Sequence, residues 1–259
     1  TSSTGTLTGS SYTFSPGSGN TVSVTARLAG NAALTHDGAG KTTLIGVNTR
    51  NGNTSLSAGI LELGSSGALN SSDGTISFTG GALRFSAANT TDYSARFSTA
   101  ASQAYKIDTN GQSVMLATAL TASGGSLSKL GVGTLTLSGA NTYTGSTTIT
   151  QGTLTVSGSL ADTNQVNVAS GATYRVNASD TVGSIEGAGS ITTAAGSGSV
   201  VLTADMDVSL NKTFSGVMSD GSSASLAFVK TGSGSLTLSG ANTHTGSTTI
   251  TQGTLTVSG

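Results

Sequence analysis

One stretch of sequence occurs three times in this chain of 259 residues. The second and third copies are identical from Ser138 and Ser239 onward, except that His244 replaces Tyr143. The copies, called here the first, second and third repeats, are residues 36–64, 129–158 and 230–259. A unit that recurs in this way predicts a stack of similar structural elements, so the repeat constrains the architecture before any local pattern does.

Each repeat is predicted to contain short strands separated by turns. In the second repeat, Thr134–Ser138 and Thr153–Ser157 alternate polar with apolar residues, and Thr147–Thr150 is a short β-branched segment between them. Residues 139–145 are mostly turn formers. The alternation predicts one buried face, made of Leu135, Leu137, Ile149, Leu154 and Val156. We therefore expect one repeat to form one coil of three short strands.

Such a coil cannot bury its apolar face alone, so it must stack on neighbouring coils. The predicted fold is all-β, a right-handed parallel β-helix with three short strands per coil, because right-handed crossovers dominate between parallel strands. At ~20–25 residues per coil, the chain would make ~10–13 coils. We expect one β-helical segment over residues 1–259, with β-helical spacers at 65–128 and 159–229.

The first repeat is predicted to pack less well than the other two. It has Thr42 at the position of Leu135 and Leu236. The third repeat keeps apolar residues at every inward position, namely Leu236, Leu238, Ile250, Leu255 and Val257. The chain stops where the third repeat ends, so we also expect a bare strand edge on the last coil, and such edges pair with other strands unless they are capped.

Composition removes several classes of protein. The 38 glycines and many hydroxyl residues are also typical of a flexible linker, but the apolar residues fall at period two and favour strands. Charged residues are 8% and the net charge is −1, so no nucleic-acid partner is expected. No apolar run has the length of a membrane helix. Cysteine is absent, which excludes disulfides and thiolate metal sites. No signal peptide is visible at Thr1, which indicates a mature or trimmed segment.

The two histidines are weak candidates for chemistry. His244 stands in the third repeat where the second has Tyr143 and the first has Arg50. A position that accepts all three residue types is predicted to be a solvent-exposed turn tip rather than an active site. His36 precedes Asp37 and Gly38, which is a turn sequence. We expect no catalytic residue, no metal ligand and no cofactor.

Two further clusters are considered. Asp205 and Asp207 would share one strand face, and they could form a weak cation site, although an ordinary solvated surface is the favoured interpretation. A glycosidase-type pair of carboxylates is also a possible interpretation, because a solenoid brings distant residues together. The segment 84–105 concentrates Arg84, Phe85, Tyr93, Arg96, Phe97 and Tyr105. These residues could form a sugar- or partner-binding platform, but the favoured interpretation is that Phe85 and Phe97 fill the core.

The repeats resemble a known family. The pattern is GVGTLTLSGANTYTG over Gly131–Gly145, followed by Thr148 and Ile149 and then by Gly152, Thr153 and Leu154. It is similar to the autotransporter-associated β-strand repeat, also called the passenger-associated transport repeat. The third repeat matches equally well apart from Ser233, Ser235 and His244, and the first departs at Arg50, Ser55 and Ile60.

The resemblance implies the β-helical passenger of a type V secreted protein, located on the bacterial cell surface. Such passengers commonly serve as adhesins or stalks, with glycans or proteins of host or neighbouring cells as partners. We expect a non-enzymatic rod. Two alternatives stay open: a filament subunit that assembles head to tail through its terminal coils, and a β-helix that binds or cleaves carbohydrate.

Overall fold

The computed structural model describes residues 5–70, 74–194, 198–207 and 209–259. These residues form short strands joined by turns, with one turn of 3-10 helix at Ser94–Arg96. The strands of the first half are β1 Thr6–Thr8, β2 Ser11–Phe14, β3 Thr21–Val24, β4 Arg27–Ala29, β5 Ala33–His36, β6 Lys41–Leu44, β7 Thr54–Leu56, β8 Ile60–Leu63, β9 Ile76–Phe78, β10 Ala82–Arg84, β11 Ala104–Asp108, β12 Ser113–Leu116, β13 Ser126–Leu130 and β14 Thr134–Leu137. Those of the second half are β15 Thr147–Ile149, β16 Thr153–Val156, β17 Gln165–Val168, β18 Thr173–Val176, β19 Asp180–Val182, β20 Ser184–Gly187, β21 Ser190–Thr193, β22 Gly198–Asp205, β23 Asn211–Phe214, β24 Val217–Met218, β25 Ala224–Thr231, β26 Ser235–Leu238, β27 Thr248–Ile250 and β28 Thr254–Val257.

One parallel sheet of 12 strands, called here the long sheet, runs along the described chain in the order β3-β6-β8-β10-β11-β13-β15-β17-β20-β23-β26-β28. Each of its strands pairs in register with the strand one turn later, as Lys41 does with Ile60 and Thr134 with Thr153 in the sheet beside it. The structure is therefore a parallel β-solenoid of about 12 turns, which confirms the predicted all-β stack.

Two further sides flank the long sheet. In each turn, the side that precedes the long sheet carries the four-stranded sheet β2-β5-β7-β9 early in the chain and the four-stranded sheet β19-β22-β25-β27 late in it. The side that follows the long sheet carries the pair β1-β4 and then the six-stranded sheet β12-β14-β16-β18-β21-β24. Between these sheets the flanking sides consist of turns.

The interior is filled by the inward residues of the three sides. Leu135, Leu137, Leu154 and Val156 are fully buried, as the alternation predicts. Near the middle of the stack the aromatic rings of Phe78, Phe97, Tyr105 and Tyr143 contact one another, with centroids 4.9 to 6.5 Å apart. Edge and stacked contacts of this kind add to the free energy gained by burial.

The prediction that one repeat makes one coil is wrong. In the second repeat, β14 pairs with β16 in one sheet, and β13 pairs with β15 in the next. Strands that pair in a solenoid belong to successive coils, so the repeat extends over more than one turn. The sequence pattern missed β13 because Ser126–Leu130 includes an inward lysine, Lys129, which disguises the alternation.

The second repeat is also rotated relative to the other two. Its strand β14 belongs to the six-stranded sheet, whereas the equivalent strands β6 and β26 belong to the long sheet. The same shift applies to β13, whose equivalents β5 and β25 lie on the preceding side. Strands β16 and β28, which have the same sequence TLTV, thus lie on different sides of the solenoid.

Thr42 is the packing defect predicted for the first repeat. Its side chain is fully buried between the long-sheet neighbours Val22 and Leu61. Within the described part of the chain, its hydroxyl has no hydrogen-bond partner. A buried polar group without a partner costs free energy that a leucine does not.

Candidate functional site

The prediction that Arg50, Tyr143 and His244 are exposed turn tips is wrong. Arg50 and Tyr143 are fully buried, and His244 is partly buried in the last coil. Each side chain reaches the hydroxyl of the threonine four residues later: Arg50 Nη2 lies 2.5 Å from Thr54, Tyr143 Oη 2.5 Å from Thr147, and His244 Nε2 3.0 Å from Thr248.

The physical reason is a feature that arginine, tyrosine and histidine side chains share. Each combines a long side chain with a polar tip that can bond a hydroxyl. The position therefore accepts different residues because it is an interior polar contact, not because it faces water. Thr147 in turn bonds Asn164 at 2.7 Å, which links the second repeat to the following coil.

A buried amine at the start of the second and third repeats holds a corner of the solenoid. Lys129 Nζ donates to the carbonyl oxygens of Leu130, Gly131 and Gln151 at 2.6 to 3.0 Å. Lys230 Nζ bonds three equivalent carbonyls at 2.7 to 3.2 Å. Burial lowers the pKa of Lys129 to about 8, and the Asp108 carboxylate opposes that shift.

His36 occupies this lysine position in the first repeat. It lies at the end of β5, fully buried, and its Nδ1 is 2.8 Å from the carbonyl oxygen of Ala58. Ala58 is the equivalent of Gln151, so histidine reaches one of the carbonyls that lysine binds. The two histidines lie in separate coils near opposite ends of the described chain and are not brought together.

An aligned asparagine fastens the turn of each repeat to the coil before it. Asn48, Asn141 and Asn242 accept a hydrogen bond through Oδ1 from the backbone N–H of Leu28, Leu120 and Met218, at 2.8, 3.0 and 2.9 Å. Asn48 and Asn141 also donate through Nδ2 to carbonyls of the next coil, those of Ala68 and Ser159. Side-chain amides thus stand in for the backbone ladder where the strands stop.

The segment 84–105 does not form an exposed aromatic platform. Phe85, Tyr93, Phe97 and Tyr105 are all at least nine-tenths buried, which agrees with the favoured core interpretation. Arg84 instead belongs to a charge ladder on the outer face of the long sheet. It bonds Asp108 at 2.7 Å and approaches Glu62 at 3.7 Å, and Lys41 bonds Glu62 at 3.0 Å. These carboxylates are neutralised by cations rather than presented as a catalytic pair.

Asp205 and Asp207 do not share a strand face as expected, because β22 ends at Asp205. Both line a surface depression of about 660 Å³, together with Asp162. Asp207 accepts hydrogen bonds from the N–H and the hydroxyl of Ser209, which is turn geometry. Among the described residues, no group of three or more His, Cys, Asp or Glu side chains is arranged to hold a metal ion.

The sequence comparisons bear on the repeats alone. The family model described as passenger-associated-transport-repeat matches this chain at residues 34–63, 127–156 and 228–257. These matches confirm the resemblance of the three repeats, and they cover about a third of the chain. No curated protein and no solved structure matches it. None of the helices described is long and apolar enough to cross a membrane.

Proposed function

We propose that this chain is a non-enzymatic, extracellular structural and adhesive rod, part of the passenger of a type V secreted protein on the bacterial cell surface. The premise is that passenger-associated transport repeats match it three times. A rod of about 12 turns would hold a binding region away from the cell or present one along its own length.

The observation that carries the proposal is where the polar side chains of the repeats lie. Lys129, Tyr143 and Asn141 are buried and bonded to backbone or to a threonine inside the stack. These polar side chains of the repeats therefore hold the structure of the stack together. Stability in a solenoid comes from neighbouring coils, so contacts of this kind contribute to the stability of a rod.

Surface display tests the location. The chain is expressed between a secretion signal and an outer-membrane secretion domain, and intact cells are treated with protease. We expect the chain to be recovered from the cell surface as a folded β-rich product. If the chain stayed inside intact cells, protected from protease, the proposed secretion route would be contradicted.

Adhesion needs a separate measurement. Beads coated with the purified chain are applied to host cells, to neighbouring bacterial cells and to a broad glycan panel, with beads carrying heat-denatured chain as the control. Retention only of beads with folded chain supports an adhesive rod. Equal retention of both bead types contradicts adhesion, and the chain would then serve only as a spacer. Release of sugar fragments from the panel would contradict the non-enzymatic assignment.

A second candidate is head-to-tail assembly with another copy, favoured by the match between β28 and β3. Their sequences, TLTV and TVSV, both belong to the long sheet. Leu255 and Val257 of β28 and Val22 and Val24 of β3 hold the inward register of the long sheet, so the two strands present the same pattern of apolar side chains. Parallel pairing of β28 on β3 of a second copy would stack Leu255 on Val22 and Val257 on Val24.

Electron microscopy at high protein concentration distinguishes the two candidates. Filaments that disappear in a Val257→Lys variant support assembly through β28, because a lysine at an inward position would be buried without a partner. Isolated short rods at every concentration contradict assembly and leave the first proposal intact.

A further inference from the structure

Asp180 occupies an asparagine position of the solenoid. Its Oδ2 accepts a hydrogen bond at 3.0 Å from the backbone N–H of Leu160, one coil earlier. This is the contact that Asn141 makes with Leu120, also at 3.0 Å, and Asn48 with Leu28. Asn141, Leu160 and Asp180 follow one another on the same side, because Asn141 also bonds the carbonyl of Ser159.

An ionised aspartate can accept the hydrogen bond that asparagine accepts there, but it cannot donate the second one. Asn141 and Asn242 donate through Nδ2 to the carbonyl two residues earlier, those of Gly139 and Gly240, at 2.8 and 2.9 Å. A carboxylate has no donor, but a carboxylic acid has one O–H. The corresponding carbonyl for Asp180 is that of Ala178.

The surroundings disfavour the charge. Asp180 is 7% exposed. The titratable groups that face it are the Asp162 carboxylate of the preceding coil, Tyr174 of β18 and Tyr143 of the second repeat. The Tyr174 hydroxyl is buried without a hydrogen-bond partner in the described chain. Among the described residues, the ion pairs lie elsewhere and none reaches Asp180.

We propose that Asp180 is an acid-strengthened latch between successive coils, which on taking up a proton from solvent becomes the equivalent of the asparagine of the repeats. The latch keeps its bond to Leu160 through the carbonyl oxygen and gains an O–H donor toward the turn. The inference does not depend on the proposed function, since it concerns only how this part of the solenoid is held.

The sign of the pH effect follows from the titration. Burial raises the pKa of Asp180 to about 6, and Asp162 adds to the shift, while backbone N–H bonds from Leu160 and Thr181 oppose it. In the unfolded chain the carboxyl titrates near 4. Between those values the folded state binds the extra proton, so its stability rises as the pH falls from about 7 to about 4. The opening equilibrium of the coil should fall on the order of 50-fold over that range.

Hydrogen exchange of the Leu160 amide measures the latch. Protection factors, which correct for the intrinsic pH dependence of exchange, are compared between pH 7 and pH 4 for the wild type and for Asp180→Asn. We expect protection of Leu160 to rise on the order of 50-fold on acidification in the wild type. In Asp180→Asn it should be high at pH 7 already and nearly independent of pH.

Two further measurements show whether Asp180 itself is responsible for the pH effect. The carboxyl carbon of Asp180, followed by NMR, should titrate well above pH 4. The Leu120 amide, held by Asn141 rather than by a carboxylate, is the internal reference. The proposal is overturned if Leu160 and Leu120 respond alike to acid in both proteins. It is also overturned if Asp180→Asn protects Leu160 less than the wild type at pH 7, or fails to fold.

Discussion

The phenol oxygen of Tyr143 lies 2.5 Å from the hydroxyl of Thr147 inside the solenoid, and this contact connects a turn of the second repeat to the strand that follows it. The Thr147 hydroxyl in turn donates a hydrogen bond to Asn164 Oδ1 in the next coil. Burial raises the pKa of Tyr143, so the phenol stays neutral and is available as a donor.

Removing the Tyr143 hydroxyl should weaken the stack. Tyr143→Phe keeps the ring and its packing but loses the bond to Thr147, so we expect a loss of about 1–2 kcal/mol in the free energy of unfolding. His244→Ala is the comparison at the equivalent position of the third repeat, and it should cost less than Tyr143→Phe because His244 is only partly buried. Urea denaturation followed by circular dichroism measures both. Equal losses at the two sites would contradict an interior role for Tyr143.

The asparagine hydrogen bond should contribute more to the free energy of unfolding in the second repeat than in the third. Asn141→Ala leaves the buried N–H of Leu120 without its acceptor and should cost about 1–3 kcal/mol. Asn242→Ala breaks the same bond to Met218, but Asn242 is less buried and water can replace the amide. Denaturation midpoints of the two variants give the comparison, and a larger loss for Asn242→Ala would refute it.

The lowered pKa of Lys129 predicts that the folded state becomes more stable at alkaline pH. The folded pKa is about 8 and the ordinary value is 10.5, so between these values the unfolded chain holds a proton that the folded chain has released. Raising the pH through this window therefore favours the folded state, by at most about 3 kcal/mol. Denaturation at pH 7.5, 9 and 10 should show the rise.

Lys129→Met provides the control for that experiment. Methionine cannot donate to the carbonyls of Leu130, Gly131 and Gln151, so the variant should be less stable at pH 7.5. The stability of the variant should also depend less on pH than that of the wild type. Burial lowers the pKa of Lys230 as well, so Lys230 keeps part of the dependence. A variant with an unchanged alkaline slope would show that Lys129 is not the group responsible.

Gly133 should tolerate no side chain. Its φ is +93°, and a Cβ atom would lie 2.4 Å from the carbonyl oxygen of Gln112 in the preceding coil. Gly133→Ala therefore combines backbone strain with a clash, and we expect a loss above about 2 kcal/mol. Gly111→Ala is the control, because Gly111 has φ +84° but no atom within 4 Å of the added Cβ. Similar losses in thermal denaturation would mean that the clash is relieved by backbone movement.

The sequence predicted the architecture because two signals agreed. Period-two apolar residues such as Leu135 and Leu137 define strands, and the repeats require those strands to stack. The turn formers at residues 139–145 also lie between two strands, β14 and β15, as predicted. What the alternation could not supply was the number of turns in one repeat, since that depends on which strands pair, and β14 with β16 is a pairing between coils.

The interior polar contacts were missed for a different reason. A substitution of tyrosine by histidine or arginine normally indicates a surface, whereas here the shared polar tip is what the position requires. Signals that could have found these contacts were present. Asn48, Asn141 and Asn242 align without exception, and threonine follows Arg50, Tyr143 and His244 at the same spacing. Asp180 had no such signal, because its spacer has no aligned copy.

The rotation of the second repeat has a consequence for anything that reads these sequences from outside. A molecule that recognises the outer surface of β16 would find the same sequence, TLTV, on β28 but facing another direction. The first and third copies point the same way and stand nine strands apart in the long sheet, or ~43 Å at the usual strand spacing. The first copy presents a different outer face, with Lys41 paired to Glu62, so a molecule that recognises the hydroxyl face would have to bind the second and third copies from two different directions.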